Sequence, residues 1–402
     1  MGGYRLTTDA PTGGGTNCPV CGGAGELLLH LAGQPIYQHP VPADAIVPEP
    51  HVIDLTWNAC INCTHAWQPD FNVAVLREIY RNHYYTPAPY GIGVQFRDDF
   101  LAALESLEVG ALPRVLLEIG ASDGDVLAEL KHRTGASSAY AFEPNRENAA
   151  IARQRGLDVR EKFFDGDAAK DRLDPVDLVY SRHVIEHVFD FEEFFAGLNA
   201  VTIAAADLVL ETPSLDHHVK NRSMAPFHIE HVHVFSLRSL VWLAYRYGWS
   251  FRRSTVTPSG NLIAAFSRGL CHAEIPAPDL RGLQAAVTQR RAWLRKWLAD
   301  QRIIFWGAGS AGIVLAKTIG KEPDIWTDGN PNKIGKRFVD SMRSIVSPDA
   351  ALDSGHEEMI LVITSSFVAE ILPRIQQSGW RGDVYDMEGN HLLARREKAP
   401  IL

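Results

Sequence analysis

The sequence predicts an α/β protein in three parts: a cysteine-rich N-terminal module, a doubly wound and mainly parallel sheet, and a second, smaller Rossmann-like domain. Three observations carry that expectation. Two Cys-x-x-Cys pairs stand within the first 63 residues, apolar strands alternate with helix-like stretches from about residue 90, and a strand, glycine turn and helix start again just after residue 300. A chain of 402 residues exceeds what one ordinary core organises, so two or three domains are expected. The parts are read as 1–89, 90–272 and 273–402.

Composition excludes several classes. Hydrophobic residues at 46% and charged residues at 22% are ordinary globular values and argue against wholesale disorder. The net charge of −9 argues against a nucleic-acid-binding surface, while leaving room for a local basic pocket that takes a phosphorylated small molecule. Met1-Gly2-Gly3-Tyr4-Arg5 lacks the apolar core of a signal peptide. No stretch reaches the ~18 apolar residues of a membrane span. Ala196–Leu210 comes closest, and Asn199, Thr202 and Asp207 interrupt it. A cytoplasmic protein with no membrane partner is expected.

Four of the five cysteines form the pairs Cys18/Cys21 and Cys60/Cys63, leaving Cys271. In a reducing compartment that arrangement points to metal before disulfide. Each Cys-x-x-Cys turn aims two thiolates at one point, and two such turns complete a tetrahedral Cys₄ zinc site. With every ligand position filled by cysteine the zinc is structural. Residues between the pairs are expected to add strands, and His65 is read as a bystander.

In the second part, strands are expected at Arg114–Ile119, Ala139–Glu143, Val176–Ser181 and Asp207–Thr212, with helices at Asp125–His132 and Glu147–Arg155. The first strand ends in Glu118 and runs into Gly120-Ala121-Ser122-Asp123-Gly124. Gly120 and Gly124 are expected to let the backbone approach a ligand beyond the carboxyl end of the strand. The second strand ends at Glu143, before Pro144, where a carboxylate can accept from both ribose hydroxyls of an adenosine. The turn lacks the Gly-x-Gly-x-x-Gly spacing of a pyrophosphate site, and Glu118 and Asp123 repel phosphates while suiting a cation. The cofactor expected is therefore S-adenosyl-L-methionine. The fold class becomes a class I (Rossmann-like) S-adenosylmethionine methyltransferase core, flanked by a zinc-binding module and a C-terminal Rossmann-like α/β domain. After the fourth strand, Ser181, His183 and His187 are expected beside the donor, with the two histidines one helical turn apart.

Ile275-Pro276-Ala277-Pro278 reads as a linker, and Leu280–Asp300 as a basic amphipathic helix carrying Trp293 and Trp297 on one face. The third part opens with an apolar strand into Gly307, Gly309 and Gly312, then a helix over Ile313–Thr318. That geometry receives a phosphate at a helix N-terminus. Asp328 is expected at the end of the next strand. Gly307, Gly309, Gly312 and Asp328 are the candidate substrate-binding residues.

His228, Glu230, His231 and His233 crowd six positions after Pro226. In an extended stretch His228 and Glu230 would point one way, and His231 and His233 the other. A second metal site drawing on this run, with His217 and His218, matches no known ligand spacing.

The order of these parts resembles the sugar C-methyltransferases of antibiotic biosynthesis, three-domain enzymes acting on nucleotide-linked keto-deoxysugars. The resemblance covers nearly the whole chain. It rests on Cys18, Cys21, Cys60 and Cys63, the Glu118–Gly124 turn, Val184–His187, Glu230-His231, and Gly307–Gly312 with Asp328–Gly335. In that family a Tyr-His-Glu-His run carries the base as its last histidine. Here the run is His228-Ile229-Glu230-His231, and Val234 replaces the aromatic before Phe235. The resemblance implies His231 as base; Glu230 is expected to orient it or a neighbouring hydroxyl, His187 to polarise a carbonyl or stabilise an enolate, and His228, where the family has Tyr, to donate to the same oxygen. Its acceptor would be a small molecule, a sugar nucleotide. The departures leave transfer to oxygen, or a non-catalytic nucleotide-sugar-binding scaffold, as alternatives.

Overall fold

The computed structural model describes residues 17–47, 49–82, 92–109, 114–269, 271, 273–354, 358–365 and 367–395. The expected boundary at 89/90 lies outside the described residues, as does residue 272 beside the second boundary.

The central sheet has seven strands, in the order Trp249–Val256, Asn261–Arg268, Thr202–Pro213, Val176–Arg182, Val115–Ile119, Ser138–Phe142 and Asp158–Arg160. The last five run parallel, and Asn261–Arg268 is antiparallel to both of its neighbours. Val115–Ile119 is buried at every position, as a parallel strand covered on both faces must be. Val115, Leu117 and Ile119 pack on one side with Phe191, Phe194 and Leu198, while Leu116 packs on the other with Leu101 and Leu104. Strand order reverses between Val115–Ile119 and Val176–Arg182, which opens a crevice at their carboxyl ends. The expected strands and helices are present with ends shifted by one or two residues, apart from the strand expected at Asp207–Thr212. That strand begins at Thr202, directly after the helix Phe191–Val201, so the apolar run Ala196–Leu210 is half helix and half strand. Among the described residues no helix is long and apolar enough to cross a membrane.

The N-terminal sheet is a long hairpin, Gly25–Pro35 with Val52–Cys60, extended by Ala66–Trp67. Its fourth strand, His233–Val234, comes from the middle of the chain. Trp57, Leu76 and Ile79 share one buried cluster with Phe227, Ile229 and Val232, and with Leu283 and Val287 of the helix Arg281–Leu298. The same helix sends Leu294 and Leu298 into the C-terminal core. It is thus a strut between modules, where the sequence shows only a solvated basic face.

The C-terminal sheet has six strands, ordered Ile345–Val346, Ile325–Thr327, Ile303–Trp306, Ile360–Ile363, Val384–Asp386 and His391–Leu393, parallel except for the last. It touches the N-terminal module directly. Val41 and Arg337 exchange backbone hydrogen bonds of 2.8 and 2.9 Å, and His51 Nδ1 lies 2.6 Å from Asp340.

Candidate active site

A cavity opens in the crevice of the central sheet, lined by Ile119, Gly120, Phe142, Glu143, Pro144, His183 and His187, with Arg77 and Tyr80 from the N-terminal module. The turn that floors it needs its glycines for internal packing. Gly120 and Gly124 both have φ of 75°, and a Cβ there would stand 2.3 Å from Val184 and 2.5 Å from Leu157. Ala121 is buried beneath the turn. Glu143 is held by the same turn: the Ser122 N–H donates to Oε2 at 2.8 Å and the Asn145 N–H to Oε1 at 2.7 Å. Each oxygen keeps a second lone pair for a ribose hydroxyl. Burial pushes the Glu143 carboxyl up to about 7, against the pull of these two N–H groups. The Ser122 and Ser181 hydroxyls are buried with no hydrogen-bond partner among the described residues. The chemistry of this wall fits an adenosine ribose.

Two charges expected to meet the donor are elsewhere. Strand alternation turns Glu118 away from the cavity, under Tyr180, whose hydroxyl donates to it at 3.1 Å. Burial pushes Glu118 up to about 8, so it is mainly protonated at neutral pH. Asp123 is ion-paired with Arg155 at 3.0 Å. Neither partner is foreshadowed by local sequence.

His183 and His187 line the cavity, yet they do not share a helix. His183 sits at φ 52°, followed by the short 3₁₀ turn Ile185–His187. The His183 ring lies 3.3 Å from Glu186 and 3.7 Å from Glu211. Burial opposes its charge, but these carboxylates outweigh it and push the pKa up to about 10. Glu211 resists burial through Arg182, 2.6 Å away, and through His183, and is held down to about 2. These carboxylates favour the charged ring, and the Asn261 amide nitrogen also lies 3.3 Å from its Nε2.

The His228–His231 segment is a turn, not an extended stretch, so the expected alternation fails. His228 and His231 face one another with ring centres 3.8 Å apart, and His187 stands 5.0 Å from His231. Backbone carbonyls set both tautomers. His187 Nδ1–H donates to the Glu230 carbonyl at 2.6 Å, and His231 Nδ1–H to the Pro226 carbonyl at 3.0 Å. With Nδ1 engaged, Nε2 is the ring nitrogen that each histidine has left for a ligand. His187 thus turns its Nδ1–H to the backbone rather than into the cavity. Glu230 does not orient His231: its carboxylate turns to His39, 3.3 Å away. Burial, then His228 and His187, hold the His231 pKa well below its ordinary value. Burial likewise takes His228 down to about 4. Glu186, His187 and His231 bring ligand atoms within 4.8 Å of one another. The His183 ring shares Glu186 at 3.3 Å.

Four residues that the sequence does not single out complete the surroundings: Tyr80, Arg77, His39 and Gln68. The Tyr80 hydroxyl donates to the Glu230 carbonyl at 2.6 Å and lies 3.0 Å from His187 Nδ1. The spacing of Val73, Leu76 and Tyr80 at i, i+3 and i+7 is the available signal for their helix, Val73–Asn82.

A second cleft runs over the C-terminal glycine turn, lined by His39, Gly307, Gly309, Ser310, Asp328 and Lys333. Gly307 and Gly312 again serve packing, since a Cβ would stand 2.7 Å from the Thr364 carbonyl and 2.5 Å from the Gly307 carbonyl respectively. Gly309 is the open one, its nearest neighbour being Lys333 Nζ at 3.9 Å. Asp328 accepts from Ala308 N–H at 2.8 Å and from Lys333 at 2.9 Å, which closes the turn. The helix Ser310–Ile319 begins at this cleft with no side-chain cap on its first N–H groups.

The four paired cysteines gather as expected. Cys18 and Cys63 sulfurs lie 3.5 Å apart, Cys21 and Cys60 sulfurs 3.4 Å, and all four fall within 4.8 Å. A tetrahedron with ~2.3 Å metal–sulfur bonds has edges of ~3.8 Å, so this cluster can hold a metal. Gly23 permits it, because a Cβ there would stand 3.3 Å from the Cys60 sulfur.

Residues 95–253 match the family described as a methyltransferase domain. No curated protein matches the sequence. Among solved structures, the chain is similar to a putative S-adenosylmethionine-dependent methyltransferase from Listeria monocytogenes, at 8% identity and TM-score 0.35, over 43% of this chain and 98% of that one. It is also similar to a putative O-methyltransferase from Nostoc punctiforme, at 14% identity and TM-score 0.35, over 42% and 56%. A third is the geranyl diphosphate C-methyltransferase from Streptomyces coelicolor A3(2), at 12% identity and TM-score 0.32, over 42% and 74%. The domain match, the sheet and the Gly120–Glu143 wall define an S-adenosylmethionine-dependent methyltransferase.

If an ionised Glu143 receives the ribose hydroxyls, donor affinity should be full above pH 7 and fall as pH drops through about 7, approaching tenfold per unit at lower pH. Calorimetric titration with S-adenosylhomocysteine between pH 5.5 and 8.5 checks this, with Glu143→Gln expected to bind weakly and without that pH dependence.

Proposed function

We propose that the protein transfers the methyl group of S-adenosylmethionine to a carbon of a nucleotide-linked sugar, with His231 as base. The observation that carries this reading is a continuous line of groups. The donor cavity ends at His187, His187 adjoins His231, and His231 faces His228. His228 lines a further pocket with Ser310 and Ala311, which also line the C-terminal cleft. A sugar held near His231 and a diphosphate at the uncapped Ser310 helix would span that line.

When bound, the donor supplies an electrophilic methyl group. The chain must align the acceptor and remove a proton beside its ketone. His231 is suited to removing it, because its Nε2 lone pair is fixed by the Pro226 carbonyl and its depressed pKa keeps it neutral. His183, held towards its charged form by Glu186 and Glu211, lines the cavity, and Arg77 and Tyr80 bring the N-terminal module into the same wall. The resemblance to the sugar C-methyltransferases agrees with this assignment. The N-terminal thiol cluster is proposed to hold one structural zinc, which fixes the module that supplies those residues.

His231→Ala should lower kcat by about 10²–10⁴-fold with donor affinity unchanged. Incubation with candidate sugar nucleotides in deuterated water without donor should exchange a proton beside the ketone. Exchange lost in His231→Ala supports transfer to carbon; turnover without any exchange would mean transfer to oxygen. Metal analysis of protein purified without added metal should give about one zinc per chain, and Cys60→Ser should lose it together with thermal stability.

A further inference from the structure

Gln68 follows the short strand Ala66–Trp67 and is buried. Its amide nitrogen lies 3.3, 3.1 and 3.0 Å from the carbonyl oxygens of His228, Ile229 and His231. Its backbone N–H donates to the Val232 carbonyl at 3.0 Å. Three carbonyls around one nitrogen settle which end of the amide faces them, because only the NH₂ group can donate. The turn itself supplies little of its own support: the His231 N–H reaches the His228 carbonyl at 3.2 Å, and the His228 N–H reaches that of Pro226 at 3.3 Å. Carbonyls buried without a donor are costly, and while Tyr80 and His187 serve the Glu230 carbonyl, Gln68 is the side chain that serves those of Ile229 and His231.

We propose that Gln68 is the positioning residue for His231, its amide pulling the His228, Ile229 and His231 carbonyls inward so that the His231 ring turns Nδ1–H onto Pro226 and presents Nε2 to the acceptor. This rests on His231 being the base. The link also reaches the thiol cluster. Gln68 lies five residues after Cys63, and the intervening Thr64 hydroxyl sits 2.7 Å from the Ser236 hydroxyl, just beyond the His233–Val234 strand. The N-terminal module thereby acts on the chemistry through one amide group, in addition to the walls that it lends the cavity.

Gln68→Met keeps length and bulk and removes both N–H donors; Gln68→Lys keeps donors. The full-length protein, labelled with ¹⁵N-histidine, is read by long-range ¹H–¹⁵N correlation, with the His231 signals assigned by their loss in His231→Ala. Wild type should show His231 as a single Nδ1–H tautomer. In Gln68→Met that signal should become a mixture or shift to the Nε2–H form, while His187 keeps Nδ1–H, metal content stays at the wild-type level and S-adenosylhomocysteine still binds. Gln68→Lys should keep the wild-type tautomer, and serves as the reading if the Met variant fails to fold. An unchanged His231 tautomer in Gln68→Met, or a Gln68→Lys protein that loses it, overturns the proposal. Simultaneous loss of the His187 signal and of ligand binding does so too, by making Gln68 a general packing residue. Full turnover by His231→Ala would remove the base and leave the tautomer result standing, so the two failures are distinct.

Discussion

Ala66–Trp67 and His233–Val234 pair as two-residue strands, and on this short ladder the N-terminal sheet and the methyltransferase core become one structure. The His187–His231 side of the candidate active site hangs from it. The ladder brings Gln68 under the His228–His231 turn, sets the Val73–Asn82 helix so that Tyr80 meets His187, and closes the hairpin whose loop carries His39 to Glu230. Two residues of backbone pairing are too few to hold modules together. The buried cluster around Trp57, Phe227 and Ile229 supplies the stabilisation, since each such side chain contributes on the order of 2 kcal/mol by leaving water.

Charge around the site is sorted by the same packing. Near the donor cavity, Arg182, Glu211, His183 and Glu186 form one chain of ion pairs, with both carboxylates buried. Its members stay ionised because each has a partner; Glu118, hydrogen-bonded to a phenol, is pushed towards neutrality instead. Beside His231 the Glu186 carboxylate is already engaged by His183, and burial keeps the His231 ring neutral. One wall of the site thus holds a histidine favoured in its charged form and the other a neutral imidazole. That division suits stabilising charge on one side of an acceptor and removing a proton on the other.

Features set by near neighbours in the chain are legible in the sequence. The strand–turn–helix from Val115 to Thr134, the carboxylate at Glu143, the Cys-x-x-Cys turns and the C-terminal glycine turn depend on local spacing, and the structure places them as expected. What is not legible depends on partners far along the chain. Glu118 looks ligand-facing in the sequence because its burial under Tyr180 is a matter of sheet packing. Glu230 looks like the residue that orients His231 because nothing nearby in the sequence announces His39. The glycines of both turns suggest room for a ligand, yet most are required by contacts with Val184, Leu157 and Thr364. Gln68 carries no signal at all: a lone glutamine after a two-residue strand becomes meaningful only when three carbonyls converge on it.

The proposed site divides its labour, with the donor in the crevice of the central sheet and the acceptor's diphosphate at the C-terminal glycine turn. A crystal structure of the protein soaked with S-adenosylhomocysteine tests this division most directly. The ribose hydroxyls should lie on Glu143 beside Gly120, with the C-terminal cleft free of adenosine. Adenosine density over Gly307–Ser310, with Glu143 still bound only to Ser122 and Asn145, would contradict it.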